Sequence, residues 1–305
     1  MLNFPAAPVV SRLAPTPSGF LHLGNAVNFT LTWLLTRQAG GLLHLRIDDL
    51  DRARFRPVYL ENIFRTLDWL GLDYDHGPSG PDDFERNFSQ QHRLPEYEAV
   101  LQAARAVHPE LFYACRCSRA ELARQVLPDG RYPGTCRQGG LPFAAADTVW
   151  RAAVPVEASV CFHDLARGDI QIWPAQNPGD FVVRKRDGVA AYQVASVADD
   201  VRLGVNLVVR GHDLLDSTAA QLWLAPYLPK QGGFTKTRFL HHGLLRDAAG
   251  HKLSKSTQAG TRRGILEEAT TPQVVYRAVA RLLELPPVAG ESLGALAEDV
   301  QRADH

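Results

Sequence analysis

One stretch near the amino terminus restricts the fold more than any other: Arg12 to Asn25, reading RLAPTPSGFLHLGN. Val9 and Val10 precede it in a short apolar run that reads as a buried strand. Val27, Leu31, Leu34 and Leu35 follow it at helical spacing. Strand, stiffened turn and helix start form one unit, able to aim backbone N–H groups and side chains at a ligand over a sheet edge. Pro15 and Pro17 restrict the turn, while Gly19 and Gly24 permit close backbone approach. His22 and Asn25, three apart, share one face of a helix beginning near residue 22. An ordinary loop leading into a capped helix, with His22 on the surface, accounts for the same residues.

A chain of 305 residues has room for a substantial core, as one large domain with an insertion or as two domains. No run of 18 apolar residues occurs, so no membrane span is expected, and the first residues lack a secretory pattern. Four cysteines in this length argue for cytosolic thiols, free or metal-bound, rather than a disulfide scaffold. The 33 basic and 33 acidic residues balance, so a nucleic-acid partner would have to rely on local patches.

Leu42 to Ile47 reads as a second strand, ending in the acidic cluster Asp48, Asp49 and Asp51. Polar groups just past a strand's carboxyl end are where an open α/β sheet holds ligands. Asp51 could instead cap the next helix. That helix is expected from Pro57 to Leu70, burying Leu60, Ile63, Phe64, Leu67 and Leu70, with Gly71 as its stop. Residues 73–90 read as a polar loop, and about His92 to Val107 as another amphipathic helix.

Cys115-Arg116-Cys117 and Tyr132-Pro133-Gly134-Thr135-Cys136 make a distinct pattern. Three thiolates can bind zinc, with a phenolate or water as the fourth ligand; plain buried or surface cysteines are the alternative. Cys161, beside Phe162, reads as a small core residue. Between Cys115 and Arg137 five Arg face two acidic residues, a basic module suited to phosphate or simply solvated.

Thr148–Val154, Val160–His163 and Ile170–Ile172 resemble short strands of a mixed insertion. Phe181 to Arg184 is a strand before the hairpin signal Asp187-Gly188. Asn206 to Arg210 reads as a further buried strand, followed by a helix from Leu214 to Leu228. Arg210 is placed to fix a carboxylate or phosphate, or to pair with Asp213 or Asp216. His241 and His242 interrupt another apolar segment and could be satisfied structural residues. His251 to Ser256 offers two lysines and two serines, a clamp for polyphosphate or an ordinary surface loop. Residues 262–284 then show helical spacing, followed by one more short helix and a polar tail.

In this order and separation the motifs resemble class I aminoacyl-tRNA synthetases of the glutamyl type, over about residues 9–285. His22-Leu23-Gly24-Asn25 is similar to their first nucleotide signature, with Asn replacing a final His. Lys252-Leu253-Ser254-Lys255-Ser256 is similar to the second. Arg12 to Gly19 and Arg46 to Asp51 match the glutamyl branch. Of the 305 residues, 49 follow Ser256, leaving no room for a large anticodon-binding region. With the Cys115, Cys117, Tyr132 and Cys136 spacing, this resembles the short paralogue family of glutamyl-Q tRNA(Asp) synthetases.

The resemblance implies an α/β, Rossmann-type class I catalytic domain with a zinc-containing insertion and a short helical carboxyl-terminal region. Its halves would occupy residues 1–110 and 191–245, with the insertion at 111–190 and the lysine-serine loop and helices at 246–305. It implies Arg12, Ala14, Ser18, Asp48, Tyr192 and Arg210 around glutamate, and His22, Gly24, Asn25, Lys252 and Lys255 around ATP. His22, Asn25 and Lys255 would serve catalysis. Cys115, Cys117, Tyr132 and Cys136 would hold structural Zn²⁺. Asp48 stands where the family has Glu, one methylene shorter. The implied activity is glutamate activation with Mg²⁺-ATP and transfer to queuosine in the anticodon loop of tRNA(Asp), by a cytoplasmic monomer away from membranes. Two rivals are a truncated glutamyl-tRNA synthetase charging an acceptor end and a non-catalytic tRNA-binding protein.

Overall fold

The structure, a computed structural model, describes residues 8–125, 127, 131–243 and 264–303. Strand β1 (Val10–Leu13) leads through the proline turn into helix α1 (Leu23–Gln38), which returns the chain to β2 (Leu42–Leu45). β1 and β2 pair in parallel, Val10 against Leu42 through Leu13 against Leu45. Backbone bonds carry the pairing past both strands, from Arg46 N–H to the Leu13 carbonyl and from Asp48 N–H to that of Pro15. The acidic cluster is thereby fixed beside the opening stretch. Gly41 is needed between α1 and β2, because a Cβ there would stand 2.4 Å from the Val9 carbonyl oxygen.

Helix α2 (Pro57–Trp69) buries Leu60, Ile63 and Leu67 and stops before Gly71, whose φ is +63°. Asp51 does not cap it. The capping residue is Arg56, and Asp51 pairs with Arg54 instead. Residues 73–90, expected as loop, contain the short turn α3 (Pro81–Asp83) and a π-helical turn, Phe84–Phe88. Fully buried Phe84 supplies the apolar anchor that a polar composition conceals. Helix α4 (Leu94–Val107) follows.

β3 (Phe112–Cys115), the short helix α5 (Arg119–Gln125), β4 (Val149–Ala152), β5 (Val160–Asp164), β6 (Gly168–Ile172) and β7 (Val182–Arg184) come next. β3, β4 and β7 form their own antiparallel sheet. The β5–β6 hairpin instead joins the main sheet, β5 meeting β9 (Arg238–His242) in parallel. Between them in sequence lie α6 (Tyr192–Arg202), β8 (Leu207–Gly211) and α7 (Leu215–Leu224), and β8 pairs with β9 in parallel. The helix expected to reach Leu228 ends at Leu224 and tightens into a 3₁₀ turn, Ala225–Tyr227. Cys161 is exposed, contrary to the core role expected: along β5 it alternates with buried Val160 and Phe162 and takes the outer face.

Both faces of the main sheet are covered. Leu207 and Val209 of β8 and Leu240 of β9 join the core built with α1, α2 and the carboxyl-terminal helix α9 (Gln273–Leu282), which follows α8 (Ile265–Glu268). Val208 and Phe239 point into a second core with α4, α6 and α7. This strand-by-strand alternation explains why β8 reads as a continuous apolar run. Helix α10 (Leu293–Ala303) closes the described chain.

Candidate active site and metal centre

β1 of the two-stranded β1–β2 sheet and β8 of the four-stranded sheet are neighbours, and the strand order reverses between them, since β1 pairs with β2 and β8 with β9. Asn206 joins them: its N–H donates to the Val10 carbonyl, and its Oδ1 accepts from Val10 N–H at 2.9 Å. Ser11 adds a hydroxyl bond to the Leu207 carbonyl. A crevice opens past the carboxyl ends of strands at such a switch point. Arg12 and Arg210 are each the penultimate residue of these two strands. The strand register thus delivers two cations 198 positions apart to one place.

Their surroundings are buried and charged. Arg12 Nε donates to Asp200 Oδ1 at 3.1 Å, and Arg46 Nη1 donates to the same oxygen at 2.6 Å. Arg46 also holds Asp48 through both carboxylate oxygens, at 2.7 and 3.0 Å. Burial pushes the Asp48 carboxyl up despite Arg46. Asp48, expected near an amino group, is therefore already held by Arg46, although each oxygen keeps a lone pair for a further donor. Arg210 donates from Nη1 and Nη2 to Gln221 Oε1, both at 3.0 Å, rather than to Asp213 or Asp216. Burial pulls its guanidinium down to about 10, with Tyr192 opposing this and Arg12 adding to it. Three guanidiniums against two carboxylates leave one positive charge in the cluster.

Helix α6 organises this arrangement. Tyr192, Ser196 and Asp200, four apart, lie along one stripe. Ser196 accepts from Arg46 through its carbonyl and hydroxyl oxygens. Asp199 is turned about 100° from Asp200 and faces a second buried network. There it accepts from Arg93 at 2.9 Å, from Tyr97 OH and from Gln90. Burial opposes its ionisation, but Arg93 and Arg46 outweigh it and hold the carboxyl below its ordinary value. The Ser89 hydroxyl and the Gln90 N–H donate to Asp49 at 2.6 and 2.8 Å. Asp200, Gln221, Arg93 and Asp199 were not assigned from sequence. An acidic pair inside an otherwise apolar helix was the available signal for the two aspartates.

Ala14 and Ser18 stay in the proline turn, both partly exposed, and Tyr192 begins α6 at 37% exposure. His22 precedes α1 and its N–H donates to Asn25 Oδ1 at 3.1 Å. Asn25 spends its oxygen closing the helix start, which leaves its NH₂ as the half able to donate elsewhere. Gly24 lies in the first turn. Lys252 and Lys255, with the rest of the lysine-serine motif, lie outside the described residues.

His241 and His242 are structural, as their apolar strand allowed. Nδ1 of His241 meets Asp164 Oδ2 at 2.6 Å and its Nε2 meets the Thr218 hydroxyl, all fully buried. His242 Nε2 meets Asn28 Oδ1 at 3.1 Å.

The three cysteines converge from two segments. Cys115, Cys117 and Cys136 Sγ atoms all lie within 4.8 Å of one another, and Cys117 and Cys136 are 3.5 Å apart. Thiolates at about 2.3 Å from tetrahedral zinc stand roughly 3.8 Å apart, so the donor set fits. Tyr132 OH lies 3.4 and 3.5 Å from the Cys115 and Cys117 sulfurs and accepts from Cys136 N–H at 2.9 Å. The Arg151 guanidinium lies 3.9 Å from the centre of the Tyr132 ring and adds positive charge over its face. Arg186 donates to the carbonyls of Arg116 and Cys117, fixing the Cys-x-Cys loop. Burial pushes the Cys117 thiol up to about 11. At Cys136 burial acts the same way, but donation from Tyr132 and the Arg116 backbone outweighs it and lowers the thiol to about 7.

Residues 8–302 match the family model of tRNA synthetases class I (E and Q), catalytic domain. The chain is thus a class I synthetase catalytic domain, in agreement with its switch-point site. It is 41% identical to a glutamyl-Q tRNA(Asp) synthetase from Symbiobacterium thermophilum, over 89% of this chain and 85% of that protein. It is 38% identical to one from Pseudomonas aeruginosa, over 91% and 86%. The chain belongs to the glutamyl-Q tRNA(Asp) synthetase family. Among solved structures, a glutamate tRNA ligase from Elizabethkingia meningosepticum shares the fold, with a TM-score of 0.72 and 22% identity. The match covers 96% of this chain but 64% of that longer one. Among the described residues no helix is long and apolar enough to cross a membrane.

Proposed function

We propose that this chain activates L-glutamate with ATP and transfers it to queuosine in tRNA(Asp). The observation that carries the reading is the buried cluster at the switch point, whose one surplus positive charge suits the side-chain carboxylate of glutamate. Arg12 and Arg210 take the substrate's negative groups, the guanidinium fork favouring a carboxylate. Asp48 receives the α-ammonium through its remaining lone pairs, and Tyr192 supplies a hydroxyl and a flat wall. Ala14 and Ser18 line the amino-acid side of the turn.

The glutamate α-carboxylate attacks the α-phosphorus of ATP in line, giving glutamyl-adenylate and pyrophosphate. His22 and Asn25 donate to charge developing on the α-phosphate, with Gly24 allowing close approach. Lys252 and Lys255 neutralise the departing phosphates, alongside the Mg²⁺ that accompanies ATP. A hydroxyl on the cyclopentene ring of queuosine then attacks the activated carbonyl and displaces AMP. No covalent enzyme intermediate is required, and positioning with charge compensation carries catalysis.

Zinc would be held by Cys115, Cys117, Cys136 and Tyr132, where it would tie β3 to the following loop. A closed four-ligand set leaves it a structural task. In this reading the enzyme is a cytoplasmic monomer.

The test is incorporation of labelled glutamate into queuosine-containing tRNA(Asp), queuosine-free tRNA(Asp) and tRNA(Glu). Labelling confined to the first is expected. Equal labelling of both tRNA(Asp) forms refutes the acceptor, and labelling of tRNA(Glu) alone would instead mark acceptor-end charging.

A further inference from the structure

The three guanidiniums at the switch point are not held alike. Arg12 and Arg46 share Asp200, and Arg46 has Asp48 as well. Arg210 is 4% exposed and makes no ion pair among the described residues; both its Nη groups donate to the amide of Gln221, itself 1% exposed on α7, and the Tyr192 hydroxyl is a second neutral partner. A guanidinium has donors only, so the amide oxygen must face it and the NH₂ must face away. That Nε2 makes no hydrogen bond among the described residues. A neutral acceptor fixes Arg210 in space and leaves its charge uncancelled. A carboxylate in the same place would fix it equally well and cancel the charge.

We propose that Gln221 is a positioning residue for substrate selection: it holds Arg210 for tight glutamate binding without neutralising it, so that the charge of Arg210 stays available to favour glutamate over glutamine. This rests on the reading of the cluster as the glutamate pocket. With Gln221 the charge balance is one positive, which a glutamate side chain brings to zero. With a carboxylate at 221 the balance is already zero, and a second buried carboxylate would enter uncompensated. A neutral glutamine amide would then meet no such penalty, and discrimination collapses.

Gln221→Glu is close to a pure test of charge, because the two side chains have nearly the same shape and the replaced Nε2 gives up no hydrogen bond. Calorimetric titration of the full chain with glutamate and with glutamine reads the effect directly. Glutamate affinity is expected to fall roughly 10- to 100-fold in Gln221→Glu, as a close charge pair at the low end of measured couplings implies. The glutamate-to-glutamine preference should fall by a similar factor. Gln221→Met, which leaves Arg210 charged but loosely held, should weaken glutamate binding less and keep the preference. It also provides the comparison if the carboxylate variant fails to fold.

Equal affinity of wild type and Gln221→Glu for glutamate would overturn the inference, as would a loss of preference in Gln221→Met matching that in Gln221→Glu. Should wild type bind glutamate no better than glutamine, the glutamate-pocket reading itself would fall, and this inference with it.

Discussion

Asp200 bridges two cations that sequence keeps far apart, and its removal should be felt in stability before anything else. Its Oδ1 accepts from Arg12 and Arg46 at 3.1 and 2.6 Å, with side-chain exposures of 2%, 5% and 4%. Without its charge, three guanidiniums face one carboxylate, and Arg12 keeps no anionic partner among the described residues. Breaking a buried ion pair by removing one partner costs about 3–5 kcal/mol. Asp200→Asn retains an accepting oxygen and should fall at the lower end, about 3 kcal/mol, with Asp200→Ala nearer 5. Against a total stability of about 5–15 kcal/mol, either is a large fraction. At roughly 2–4 °C per kcal/mol for chains of this order, Asp200→Asn should melt about 6–12 °C below wild type. Melting followed by circular dichroism, in low and high salt, measures this. The loss should persist in high salt because the pairs are buried. Replacing the pair together, as Arg12→Met with Asp200→Leu, should recover part of the stability, while glutamate binding is lost with Arg12. A melting temperature within 1 °C of wild type for both single variants would refute the argument.

Other consequences are open to simple measurement. Wild-type protein should contain zinc and Cys115→Ser should lose it, with a lower melting temperature; unchanged zinc content by elemental analysis would contradict the ligand set. Burial depresses His241, His242 and His44, whose reference value is 6.5, so the unfolded chain binds their protons first. Their contribution to stability is present above pH 6.5 and is lost as pH falls from there through the folded-state values. A melting temperature that stays flat from pH 7.5 to 5 would count against this. Lys255→Ala should lower glutamate-dependent ATP–pyrophosphate exchange by about 10²–10³ with an unchanged melting temperature; exchange within twofold of wild type would remove Lys255 from the mechanism.

The sequence by itself determined what local periodicity and local chemistry can determine. The strand, proline turn and helix around Arg12 to Asn25 were legible, because spacings of two and of three to four residues report buried faces directly. The cluster of Cys115, Cys117 and Cys136 was legible because its three residues lie within 22 positions, and the acidic cluster because it ends a strand. Tertiary structure decided the partners. Strand order alone set Arg210 beside Arg12, and the rotation of α6 alone sent Asp200 to the arginines and neighbouring Asp199 to Arg93 and Tyr97. Gln221 looked like any polar residue of an amphipathic helix until β8 brought Arg210 against it. Cys161 looked apolar by its neighbours, but strand alternation put it outside. Pattern reveals which face of an element is buried, whereas the identity of the group across the gap depends on how distant strands and helices are ordered. At the opening stretch, sequence supplied Arg12, and the fold supplied the carboxylate that holds it.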